Sequence, residues 1–170
     1  ALLLPGRGFW PIAKIITAFT LGHSVTLALV SLEVMPNWPS FVELLIAATI
    51  LMLALELSRA SPDERQRYLR THPWPVASVF GLIHGLGFAN VLKDIGMPAD
   101  DLMAALLSFN IGIEIGQLMF VSAVAILLLA AHQWSARGVR VIRALAVSVM
   151  GGVSVFWCLD RGLELAAHVL

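Results

Sequence analysis

The chain has 170 residues, 59% hydrophobic and 13% charged, with 11 basic side chains against 11 acidic ones. Its mean hydropathy is +0.87, whereas soluble domains average about 45–50% apolar and about 25% charged residues, so a soluble globular domain is excluded. No basic patch with interleaved aromatics exists to bind nucleic acid, and a lone cysteine, Cys158, rules out an internal disulfide and a cysteine-cluster metal site.

A helix crossing a bilayer takes about 20 mostly apolar residues. Five segments reach that length, so the expected fold is all-α: one polytopic transmembrane helical bundle over residues 1–170. The opening Ala1-Leu-Leu-Leu-Pro5 lacks the basic n-region of a signal peptide. It reads as the tail of a hydrophobic segment, and a sixth, N-terminal span is expected ahead of it.

The first span covers about residues 11–32, with Pro11 suited to a first helical turn. Trp38, in the link that follows, has the place of an interfacial anchor. The second span covers about 40–58; Ser40 as N-cap and Glu43 three residues on have capping-box spacing. Glu56, near its other end, is placed to pair with Arg59 or Arg65. The polar link after it carries Arg59, Arg65, Arg67 and Arg70.

The third span, about 74–92, is short and glycine-rich, and Gly81 and Gly85 have the spacing that lets helix backbones approach closely. Gly87 widens that smooth surface. Gly96-Met-Pro98 marks a turn, and Asp100 or Asp101 is placed to cap the fourth span, about 102–131. Gly112 and Gly116 are expected to permit close contacts there. A basic link with Arg137, Arg140 and Arg143 leads to the fifth span, about 141–159, where Gly151-Gly152 marks tight packing or a bend. The tail from Asp160 is expected to continue as helix.

Basic residues crowd alternate links: Arg7 and Lys14 before the first span, four arginines in the second link, three in the fourth. The other side has only Lys93 and Arg161. The positive-inside rule then sets the Arg-rich links in the cytoplasm and the C-terminus outside.

Three spans carry polar islands at similar depth. Asn110, Glu114 and Gln117 stand at i, i+4 and i+7 on one face of the fourth helix. A carboxylate at mid-membrane costs several kcal/mol unless partnered, which marks a functional site by default. His23 lies about 11 residues into the first span, beside Thr17, Thr20 and Ser24, and His84 about 10 into the third. Two imidazoles and a carboxylate suit a borderline transition metal. The same residues also serve plainer ends, since histidine, asparagine and glutamine often just hydrogen-bond across membrane helices.

The stretches Ala18-Phe-Thr-Leu-Gly-His-Ser-Val-Thr-Leu27, Val42-Glu-Leu-Leu-Ile-Ala47, Phe80-Gly-Leu-Ile-His-Gly-Leu-Gly-Phe-Ala89 and Phe109-Asn-Ile-Gly-Ile-Glu-Ile-Gly-Gln-Leu118 resemble the HupE/UreJ family. These are bacterial membrane proteins associated with hydrogenase and urease gene clusters. The likeness runs from about Thr17 to Leu165 and is weakest in the last span. It implies a nickel or cobalt permease, and His23, Glu43, His84, Asn110 and Glu114 carry over. Family members usually begin with a helix bearing a Gly-x-Asp-His motif, which this chain lacks.

The leading expectation is a permease whose substrate is a divalent transition metal, nickel foremost, with cobalt or zinc as alternatives. His23, His84, Glu114 and Asn110 form its metal set, and Ser24, Thr20, Glu43 and Gln117 support them. The alternatives are an intramembrane metal-dependent hydrolase, which needs three protein ligands and an open position, and a structural or assembly subunit. Expected partners are the lipid bilayer, the metal ion, and a homo-oligomer or larger membrane complex.

Overall fold

The computed structural model describes residues 9–35, 38–58, 73–95 and 101–169. Five helices make up nearly all of these: α1 (Phe9–Ser31), α2 (Pro39–Ser58), α3 (Pro73–Ile95), α4 (Leu102–Trp134) and α5 (Ala136–Val169). Every predicted span is a helix, and no strand occurs among the described residues. Helices α1, α2, α4 and α5 are long and apolar enough to cross a membrane; α3 is a 23-residue helix. The Ala1–Pro5 tail, Arg7, the arginines of the second link, the 96–98 turn and Asp100 lie outside the described residues.

Local chemistry explains several helix ends that differ from expectation. α1 closes on a Schellman motif, with Val34 N–H donating to Leu29 O (2.9 Å) and Glu33 N–H to Val30 O (3.0 Å). Glu33 takes the left-handed position, φ 60°, that glycine usually fills. α2 starts one residue early, at Pro39, because the Trp38 carbonyl accepts the Val42 N–H (3.0 Å) and proline suits the first helical position. Ser40 therefore sits inside the helix, and Glu43 reaches across to α5 rather than closing a capping box. Asp101 holds the N-cap position of α4 but makes no side-chain cap bond.

α5 begins at Ala136, not near 141, so the predicted basic link shrinks to Ser135. That residue is extended (φ −157°, ψ 102°) and its N–H bonds Ala131 O, ending α4. Its hydroxyl accepts the Gly138 N–H at 3.0 Å, starting α5. The tail continues as helix to Val169. Gly151 approaches Ala54 at ordinary contact distance, Gly152 faces open space, and α5 runs through both without a break.

The helices close into a ring in the order α1, α3, α2, α5, α4, each packed against the next and α4 back against α1. Side-chain registers give their directions. Gly81 meets Phe19 and Gly85 meets Thr26, so α1 and α3 run parallel. Thr17 meets Glu114 while Leu27 and Val30 pack on Leu106, so α1 and α4 are antiparallel. Gly87 meets Ile46 and His84 meets Thr49, which sets α2 against α3. Glu43 meets Arg161 and Ala54 meets Gly151, which sets α2 against α5. Strict alternation of direction follows.

The tightest seam joins α1 to α3. A Cβ on Gly22 would strike the Ser78 carbonyl oxygen, one on Gly81 the Phe19 carbonyl oxygen, and one on Gly85 the His23 carbonyl oxygen and Thr26 Oγ1. Gly81 and Gly85 lie in this seam, and Gly22 joins them. Gly87 takes a side chain instead, with Ile46 Cδ1 2.6 Å from its ideal Cβ. Gly112 and Gly116 do not act as expected within this chain. They face outward with nothing within 4 Å of an added Cβ, because α4 turns its opposite, polar face toward α1.

Candidate functional site

Each histidine is the sequence neighbour of a seam glycine: Gly22-His23 on α1 and His84-Gly85 on α3. Backbone contact at the glycines therefore brings both imidazoles to one level beside the seam. Phe19 touches both rings, stacking on His23 (centroids 6.1 Å apart, 17° between planes) and meeting His84 edge-on at 5.5 Å. Phe88 closes over His23 at 6.0 Å and packs on Phe109 of α4 at 5.0 Å.

His23 is 4% exposed, and neither Nδ1 nor Nε2 has a hydrogen-bond partner. Buried polar atoms are nearly always paired, so two orphans on one ring call for an explanation. His84 is half-buried, and its Nε2 lies 3.0 Å from Thr49 Oγ1 on α2. The Thr49 hydroxyl is itself 2.7 Å from the Ile46 carbonyl oxygen.

On α4, Asn110 donates through Nδ2 to the Leu106 carbonyl (2.8 Å), and its buried Oδ1 is unpartnered. The α1/α4 register sets Asn110 between the Thr17–Glu114 level and the Leu27–Leu106 level, which is the level of His23. Glu114 accepts a 2.6 Å hydrogen bond from the Thr17 hydroxyl. Thr17 precedes His23 by six residues, or about 9 Å of helix rise. Glu114 therefore stands to one side of the imidazole pair. Gln117 is half-buried on the same α4 face, one turn further on.

Other expected residues are turned elsewhere. Thr20 and Ser24 donate to carbonyls of their own helix, Ile16 O (3.1 Å) and Thr20 O (2.6 Å). Glu43 binds Arg161 Nε at 3.0 Å, and the same guanidinium holds Asp160 (3.4 Å) and Glu164 (2.6 Å). This ion-pair cluster ties α2 to α5 at the end of the bundle remote from the basic α4–α5 joint. No group of three or more His, Cys, Asp or Glu side chains among the described residues is arranged to hold a metal ion.

Three contributors escaped the sequence reading: Phe19, Phe88 and Thr49. Thr49 was detectable, as a lone polar residue midway along an apolar span, by the depth argument that singled out the histidines. The two phenylalanines carry no such signal.

A family model described as "HupE / UreJ protein" matches residues 1–161. No curated protein and no solved structure matches the chain. The matched family and the long apolar helices together make this a multi-pass membrane protein.

Proposed function

The chain belongs to the HupE/UreJ family, and on that premise we propose that it is an inner-membrane permease for a divalent transition-metal ion. Nickel is the first candidate and cobalt the second, with zinc also compatible with the donors. The observation that carries the reading is His23: a buried imidazole with two unpartnered nitrogens, one seam away from a second imidazole. Imidazole nitrogens suit borderline divalent ions, and an amide oxygen adds a harder, neutral donor beside them. His23 and His84 are the proposed ligands, with the Asn110 Oδ1 as an oxygen donor at the same level. Glu114, bonded to Thr17, offsets part of the ion's charge on its way to or from that pair.

Two protein imidazoles with one amide oxygen hold an ion in transit better than a resident one. A permease needs binding tight enough to admit the ion and weak enough to release it. A hydrolytic zinc site takes its three protein ligands from histidine, cysteine and carboxylate side chains, and no three of these are grouped to hold an ion among the described residues, which favours transport over that alternative. By the positive-inside rule we orient the Arg137–Arg143 end toward the cytoplasm.

The test is nickel radiotracer uptake by cells producing the chain, with His23→Ala and His84→Ala as variants matched for membrane insertion. Loss of uptake in both is the expected result. Full uptake in either variant removes that residue from the ligand set, and full uptake in both overturns the reading.

A further inference from the structure

Thr49 has one hydroxyl proton and two neighbours that could receive it. The Ile46 carbonyl oxygen lies 2.7 Å away and His84 Nε2 lies 3.0 Å away. Two oxygens 2.7 Å apart need a proton between them, and 2.7–2.8 Å is the usual length of an O–H···O bond. A threonine hydroxyl commonly bonds back to a carbonyl one turn earlier on its own helix. The proton therefore belongs to the Ile46 bond. What remains on Oγ1 facing His84 is a lone pair, and a 3.0 Å contact to a lone pair is an N–H···O bond.

From this chain of donors we infer that Thr49 is a positioning residue, which holds His84 as its Nε2–H tautomer and leaves the Nδ1 lone pair as the metal-binding atom. The inference rests on the proposed transport site and deepens it by naming the ligand nitrogen. In a neutral imidazole one nitrogen donates and the other accepts, so fixing one fixes the other. Metal-binding histidines are commonly held in this way by a bond at the second nitrogen. Here the partner comes from α2, while the ring belongs to α3. One bond thus sets the tautomer and also ties the metal-binding ring to a neighbouring helix. The Phe19 ring, its centroid 5.5 Å from that of His84 and its plane 66° away, limits the imidazole's rotation from the α1 side.

The experiment is nitrogen-15 NMR of histidine-labelled protein in lipid nanodiscs, which distinguishes protonated from unprotonated ring nitrogens directly. The chain has five histidines, and His84→Asn assigns the resonance. The expected result is an Nε2-protonated His84 in the wild type and in Thr49→Ser, which keeps the hydroxyl. Thr49→Val, of similar shape and without the hydroxyl, should lose that bias. Titration with Ni²⁺ should then perturb Nδ1 first, and Thr49→Val should bind Ni²⁺ about 10–100-fold more weakly. An Nδ1-protonated His84 in the wild type overturns the inference and leaves the transport site standing. Unchanged tautomer populations in Thr49→Val overturn it equally. An Nε2-protonated ring that Ni²⁺ does not perturb removes His84 from the ligand set and overturns the assignment of Nδ1 as a metal-binding atom, while the hydrogen-bond assignment survives.

Discussion

Gly85 lies directly against the carbonyl oxygen of His23, closer than any side chain would allow. Its sequence neighbour His84 and the partner residue His23 are the two imidazoles of the candidate site. Close packing and ligand placement are thus one feature of the α1/α3 seam.

Substituting the seam glycines should accordingly be severe. Gly81→Ala and Gly85→Ala each push a methyl into a backbone carbonyl that cannot swing aside, at a cost of about 1–3 kcal/mol or more. Gly112→Ala and Gly116→Ala meet open space and lose helix-destabilising glycine, so they should be neutral or gain about 0.4–1 kcal/mol. Thermal unfolding in detergent ranks the four variants. Equal effects in both pairs would contradict the seam.

Removing the Thr17 hydroxyl leaves Glu114 without its 2.6 Å donor. Thr17→Val should destabilise by about 1 kcal/mol, the low end of the cost of an unsatisfied acceptor because Glu114 is only partly buried, and Thr17→Ser should restore stability. Chemical denaturation of the three proteins in one detergent measures it.

Arg161 serves three carboxylates, so its loss should matter more than the loss of any one of them. Glu43→Gln should cost no more than about 1 kcal/mol, as for other partly exposed pairs. Arg161→Gln leaves Glu43, Asp160 and Glu164 to repel one another and should cost more than Glu43→Gln. Raising the salt concentration should shrink the gap by screening. A gap independent of salt would point to packing instead.

Glu33 occupies a left-handed position that costs a side-chain-bearing residue about 1–2 kcal/mol. Glu33→Gly should raise the unfolding temperature relative to Glu33→Gln, which keeps the backbone constraint while removing the charge.

Metal binding should weaken on acidification, because protons compete for the same imidazole nitrogens. Ni²⁺ affinity measured by calorimetry across the mildly acidic range should fall toward low pH in the wild type. In the His23→Ala, His84→Ala double variant it should be weak throughout.

Much of the architecture could be read from local pattern. Apolar runs of bilayer length located all five helices, and the arginines of alternate links foretold the alternating directions that the registers display. Counting residues at a fixed rise gave His23 and His84 similar depths, and in the fold Phe19 meets both rings. The glycines were less legible: Gly22, Gly81 and Gly85 pack backbone to backbone, while Gly112 and Gly116, with the same spacing, face outward.

The amino-acid sequence alone determined the membrane class, the five helices of the described residues and their alternation in direction. These depend on hydropathy and rise per residue, which are properties of a single segment. Only the tertiary structure decided that the ring runs α1, α3, α2, α5, α4, that Thr49 rather than Glu43 meets His84, and that Glu114 answers to Thr17. In lipid an outward leucine and an inward leucine find equally apolar surroundings, so an apolar helix carries little mark of which face its neighbours cover. That choice is made by backbone contact at a few glycines, and it emerges only when the helices pack.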